Sequence, residues 1–395
     1  MAHYFLFPEK DATLYSHPSR AELNTGLDEI LQLGQELSSI GDIYYPTRIL
    51  IKFKDSEINN TIDTKVKNNP FTASLKLFQS EHSEITLDQN IEAYPVFALE
   101  SYGWNNGTGR VFNSPQTLNG VSWKFKDNAT LQDDWVEDPY AEDLPEDTVS
   151  IWYDHTTGSY FDIPGGGTWY TGSGFEVSQS YTYNEVLDLE LDVTSPIQKF
   201  YNRSKLEYSY PDGIPNNGFL LKRPDNEEFT EFNYGILNYF GVDTHTIYPP
   251  ILDISWDDSN YDTNFATGDK IKTTGECYVT LRNNKEKYHK DEEPKFRLNV
   301  RELYPTRKFV TSSNYLDVNY FTSKSFYSLV DYATEETVIP FGPTSKLSAD
   351  KEGMYFKLYM NGLQEERYYK LLFKHENDDG ITVYDENYYF KVVKS

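Results

Sequence analysis

The stretch Leu187-Asp188-Leu189-Glu190-Leu191-Asp192-Val193-Thr194 alternates apolar and polar residues through eight positions. Successive side chains of a strand point to opposite faces, so this is the pattern of a β-strand with Leu187, Leu189, Leu191 and Val193 inward and the acids in water. The same period recurs in Ile49-Ile51-Phe53, Leu75-Leu77, Val279-Leu281, Phe296-Leu298-Val300, Met354-Phe356-Leu358-Met360, Tyr369-Leu371-Phe373 and Phe390-Val392. Gly, Pro, Asn and Asp punctuate these runs at spacings that suit antiparallel sandwiches, not the strand–helix alternation of a parallel sheet. The expected fold class is therefore all-β: two antiparallel β-sandwich domains of jelly-roll or immunoglobulin-like type, with little helix.

One helix is expected at Ser195-Pro196, a capping residue followed by Pro at the first helical position, with Ile197, Phe200 and Tyr201 on one face. Ala21 to Ile40 is ambiguous. Leu23, Leu27, Ile30 and Leu31 have helical spacing, while Gly26 and Gly34 weaken a helix and residues 29–34 read equally well as a strand.

The chain has 395 residues, 62 acidic against 36 basic, a net charge of -26, 33 Tyr, 24 Phe, 6 Trp and one Cys. So many aromatic residues require a packed core, and the length favours two or three domains. Residues 250–395 carry 24 acidic and 20 basic residues, a net -4, so -22 belongs to residues 1–249. Pro249-Pro250, which can continue neither a helix nor a central strand, marks the expected boundary between an N-terminal domain, 1–248, and a C-terminal domain, 249–395.

Strong acidity argues against phosphate tracking, and therefore against direct nucleic-acid binding. The apolar runs are far shorter than the ~20 residues that cross a bilayer. The first residues lack the basic start and apolar run of a signal peptide, so no export is expected. The single Cys277 sits in an alternating run and reads as a small core residue.

No catalytic constellation emerges, and no catalytic, cofactor-binding or metal-binding residue is assigned. The seven His are scattered, which reads as polar surface, and Gly165-Gly166-Gly167-Thr168 lacks the following Lys-Ser/Thr of a phosphate loop. With Trp169 and Tyr170 behind it, the Gly run reads as a flexible, aromatic-tipped loop. Asp258-Ser259-Asn260-Tyr261-Asp262, with Asp269 at the twelfth place, has the oxygen spacing of a calcium loop but Thr263 where Gly is needed, so a polar linker is the preferred reading. Between Asp127 and Asp147 nine acids occur without a Lys or Arg, which reads as a solvated loop or, more sharply, as a docking surface for a basic partner or a cation. Tyr278, Tyr355, Tyr359, Tyr368 and Tyr389 are expected on outer strand faces, where Tyr offers rigid contact area with a polar tip.

Residues 1–245 resemble DNRLRE-type β-sandwich modules, which are carbohydrate-binding-like. The resemblance runs through Asp11-Ala12-Thr13-Leu14-Tyr15, Asn24 and Gly26, residues 30–34, Arg48 to Phe53, Ala73 to Phe78, Trp104-Asn105-Asn106-Gly107-Thr108, Leu191 to Tyr201, and Asn217 to Leu221. It implies a strand at residues 29–34, and this chain departs from it in a long insert around 121–171. As a whole the chain resembles virion structural proteins of large, contractile-tailed marine phages. This rests on the aromatic, acidic β-domain joined through Tyr248 to Ser259 to a module ending Tyr388-Tyr389-Phe390-Lys391-Val392-Val393. That resemblance implies a non-enzymatic neck, tail or baseplate component in the virion, a symmetric homo-oligomer whose partners are other virion proteins. The alternative is a carbohydrate-binding or host-surface-recognition module, with Trp104, Trp123, Trp152, Trp169 and Tyr170 as exposed glycan platforms.

Overall fold

The computed structural model describes residues 2–37, 44–83, 85, 87–97, 103–129, 133–135, 149–154, 159–183, 188–228, 230, 232–262, 264, 277–304, 309, 318–377 and 380–394. Strand accounts for 44% of the chain and helix for 11%, in several antiparallel sheets, so the protein is all-β. The chain divides into two compact units. One comprises Leu6–Lys65 and Thr72–Asp253, and the other Met1–Phe5, Val66–Phe71 and Ile254–Ser395. The division near residue 253 lies a few residues past Pro249-Pro250, and two short N-terminal segments belong with the C-terminal part.

In the larger unit, eight strands form one antiparallel sheet. Its order is Val177–Tyr181, Gln89–Pro95, Phe219–Lys222, Tyr44–Lys52, Ile30–Leu37, Ile236–Phe240 and Gln79–Ser83, with Lys10–Tyr15 also paired to Tyr44–Lys52. Residues 30–37 are thus strand, paired Leu33 to Leu237 and Gln35 to Pro46. Leu189–Asp192 is a strand as the alternation requires, with Leu189 and Leu191 buried and Glu190 and Asp192 exposed; Leu187 lies outside the described residues.

Tyr44–Lys52 does not alternate: every residue from Tyr45 to Ile51 is buried. Both faces of this strand are covered. Leu50 belongs to a core with Ala12, Leu14, Val96, Trp104, Val121, Trp123, Trp135, Trp169 and Leu220, so the residues that follow Trp104, and the insert from Val121 onward, supply a second layer.

The helix after Asp192 spans Thr194–Ser204 and buries Pro196, Ile197 and Phe200, with Phe200 against Phe219 at 5.5 Å. Its cap differs from expectation. Val193 occupies the capping position, Ser195 instead donates to the Gly174 carbonyl, and Asp192 Oδ1 accepts from both the amide and the hydroxyl of Thr194. A helix at Asp55–Thr61, continued by a wider turn over Ile62–Val66, had not been expected, although Ile58, Ile62 and Val66 recur every fourth residue and are all buried.

The smaller unit is a β-sandwich. One sheet has the order Cys277–Arg282, Lys295–Glu302, Gly353–Lys357, Ser348–Asp350. The other has Lys287–His289, Gly380–Val393, Tyr368–Asn377, Ser325–Asp331, Thr337–Ile339. Between them Phe356 stacks on Tyr327 at 4.3 Å and on Phe296 at 5.0 Å, and meets Phe373 edge-on at 6.1 Å. Cys277 is buried at the start of its strand, as a small core residue.

Candidate interaction surface

In the smaller unit the strands Tyr368–Asn377 and Gly380–Val393 pair with Tyr368 opposite Lys391 and Lys370 opposite Tyr389. Period-2 geometry sends Tyr369, Leu371, Phe373, Phe390 and Val392 into the sandwich. It sends Tyr368 and Tyr389 outward, on a diagonal, with ring centroids 6.3 Å apart. Tyr332, immediately after strand Ser325–Asp331, completes the group at 5.7 Å from Tyr389. Its position is fixed from both sides, by its backbone N–H donating a hydrogen bond to the Tyr368 carbonyl at 2.9 Å and by the neighbouring Arg367–Asp331 ion pair at 2.6 Å. The three residues are exposed, Tyr332 to 49%, Tyr368 to 45% and Tyr389 to 44%. Charge around them is of both signs: Lys370 pairs with Asp385 at 2.5 Å, and Lys391 pairs with Glu366 and lies 5.7 Å over the Tyr368 ring.

Of the other outer-face tyrosines, Tyr278 is 40% exposed with Arg301 over its ring, and Tyr355 carries Lys295 at 3.5 Å. Tyr359 is a correction: it is buried between Tyr4 and Trp256, because its segment leaves the strand after Lys357 and turns inward.

The aromatic platforms expected in the larger unit are likewise corrected. Trp104, Trp123, Trp169 and Tyr170 are all buried, and of the Trp152 side chain nothing is described. Trp104 donates its indole N–H to the Asn217 carbonyl at 2.8 Å and carries Lys10 at 4.0 Å from its ring; burial beside Lys52 brings the Lys10 ammonium down to about 8. Trp123 and Trp169 flank the Arg48 guanidinium at 4.9 and 5.2 Å. Arg48 is held by Glu228 and by the Gly166 carbonyl at 2.9 Å, so the Gly165-Gly166-Gly167 run is packed against the sheet and is no exposed loop. Gly165 has φ +111°, and a Cβ there would lie 2.1 Å from the Trp123 carbonyl oxygen, which only glycine avoids. The Lys222 ammonium lies 5.0 Å from Trp169 and 3.9 Å from Glu228. Nearby Arg223 is fully buried, donating to Gln89 and to the Gly235 carbonyl, and desolvation lowers its guanidinium to about 10. Aromatic faces used in this way are structural.

Several motif residues named above meet in one hydrogen-bonded knot. The Asn24 amide donates to the carbonyls of Asn106 and Val121 at 2.7 and 2.8 Å and accepts from the Gly109 amide at 2.7 Å. Asn106 returns a bond to the Gly26 carbonyl at 2.6 Å. Two His are not surface residues: His3 bonds Thr344, and His375 is buried, stacked on Phe321 at 4.4 Å. In the loop at residues 257–262, Asp257 and Asp262 accept from the backbone amides two residues on; Thr263 and Asp269 lie outside the described residues. Most of the acidic stretch, residues 136–148, does too, while Asp133–Asp134 pairs with Phe125–Asp127 and Trp135 is buried. Among the described residues no three His, Cys, Asp or Glu side chains converge as a metal site.

The larger unit also has a half-open cleft of about 470 Å³ beside strand Ile30–Leu37, lined by Tyr15, Asp28, Glu29, Glu81, Arg110 and Phe112 among others. It was not foreseen, since its residues come from separate stretches. Burial raises the Asp28 carboxyl to about 6, against the Val111 amide and Arg110, which favour the ionised form.

No known family model matches the chain, and no curated protein matches it.

Proposed function

We propose that the protein is a non-enzymatic structural component that works by protein–protein assembly, as a symmetric homo-oligomer, in the neck, tail or baseplate of a phage virion. The observation that carries the assembly reading is the outward Tyr332–Tyr389–Tyr368 group on the sandwich of the smaller unit. Exposed Tyr in mutual contact loses little conformational freedom on docking and buries large area, the property that enriches it at interfaces. The charges around it are of both signs and already paired, so two copies of this face meet without net repulsion despite the chain's -26. The virion assignment rests on the resemblance of the whole chain to phage structural proteins. Mass spectrometry and cryo-EM of particles carrying the chain test it: a stoichiometric, symmetric density supports the reading, and absence from purified particles ends it.

A further inference from the structure

The cleft of the larger unit carries an inference that does not depend on the tyrosine face. Three carboxylates line it, Asp28, Glu29 and Glu81, with one guanidinium, Arg110, whose nearest approach to Glu29 is 3.8 Å. Asn238 also lines it. That side chain is 7% exposed, its Nδ2 reaches Glu81 at only 3.5 Å, and its Oδ1 accepts no hydrogen bond from the described residues. A buried acceptor without a donor carries a desolvation cost, which a donor in the cleft relieves once the amide turns toward it. At the rim Phe112 is 92% exposed, a free aromatic face beside the acids. Acceptors and negative charge thus outnumber donors, and the occupant must be rich in donors, positive and able to lie on a ring.

A guanidinium meets all three conditions: five N–H donors, no acceptor, and a planar cation that stacks on aromatic faces. We infer that this cleft binds the guanidinium of an arginine side chain presented by a partner protein, shared between Asp28 and Glu81 and covered by Phe112, with the Asn238 amide, whose Oδ1 is closed to solvent, turning to accept a further N–H. Glu29 has Arg110 and His245, both at 3.8 Å, and serves as background charge.

Argininamide titrated into the full chain and followed by NMR or calorimetry tests this. Saturable binding below about 10 mM is expected at pH 7.5 and low salt, weakening several-fold at high salt. Phe112→Ala and Glu81→Gln change exposed side chains, so both leave the fold intact; each is expected to weaken binding about fivefold or more. Binding also weakens below about pH 6, where Asp28 takes up a proton; the charged or titratable groups around Asp28 are Arg110, Glu29, Tyr15 and Asp11, with Glu81 also lining the cleft. Absence of saturable argininamide binding by the folded chain would overturn the inference. So would affinity unchanged in both variants, or equally tight, salt-indifferent binding of a neutral disaccharide such as maltose.

Discussion

Arg48 and Glu228, 180 residues apart in sequence, meet in two parallel hydrogen bonds, Nε to Oε1 at 3.0 Å and Nη2 to Oε2 at 2.6 Å, with both side chains 1% exposed. The pair joins the central strand Tyr44–Lys52 to the short helix Asp225–Glu228 beneath the layer of Trp123 and Trp169. Removing Glu228 strips the buried Arg48 of its bidentate counter-ion, and removing Arg48 leaves the buried Glu228 with the more distant Lys222, at 3.9 Å and shared with Asp225. Arg48→Met and Glu228→Gln are each expected to cost about 3–5 kcal/mol, while replacing both by apolar residues costs less than the two together. Urea unfolding of the singles and the double measures this, and additive losses would contradict it.

The aromatic layer is core, so Trp123→Ala is expected to lower stability by about 3–5 kcal/mol. Gly165→Ala, with φ +111° and its Cβ driven against the Trp123 carbonyl, is expected to cost about 1–3 kcal/mol. Thermal and denaturant melts check both; a stable Gly165→Ala variant would mean that this turn is not held as described.

Burial raises the Asp11 carboxyl from 3.8 to about 7, although the Val242 amide, at 2.6 Å from Oδ2, favours its ionised form. The folded chain therefore holds this proton more tightly than the unfolded one. Its contribution is fully present below about pH 4, declines as pH rises, and is gone above about pH 7, on the order of 4 kcal/mol in all. Asp11→Asn should flatten that part of the stability profile and make the chain more stable than the parent at pH 8. Asp350 acts in the opposite sense: Arg297 holds it down to about 2, so its contribution is present above about pH 4 and fades as pH falls toward 2. Stability measured from pH 2 to 8 reads both.

Much of the fold was legible where one face of a strand meets water. Leu189 and Leu191 against Glu190 and Asp192, or Tyr369 and Leu371 against Tyr368 and Lys370, follow period 2 because only one side is buried. The reading fails where both sides are covered: Arg48 lies among Ile49, Leu50 and Ile51 and looks like an outward charge, yet it is buried by Trp123, Trp169 and Glu228. The same long-range packing turned expected glycan platforms into core and hid the cleft, whose Asp28, Glu81, Phe112 and Asn238 come from four distant segments. By contrast Tyr368 and Tyr389 could be placed outward from sequence, since their neighbours Tyr369 and Phe390 are fixed inward. Tyr332 could not, because it joins them only through the pairing of Ser325–Asp331 with Tyr368–Asn377.

The assembly reading is tested most directly by light scattering on the purified chain beside a Tyr332→Ser, Tyr368→Ser, Tyr389→Ser variant, with circular dichroism to check that both are folded. The parent is expected at a multiple of 45.9 kDa that depends on concentration. The variant is expected to remain at 45.9 kDa under the same conditions, since losing an interface aromatic typically weakens association by about tenfold or more. A parent that stays monomeric at all concentrations, or a variant that assembles as the parent does, would contradict the claim that this tyrosine face joins copies of the protein.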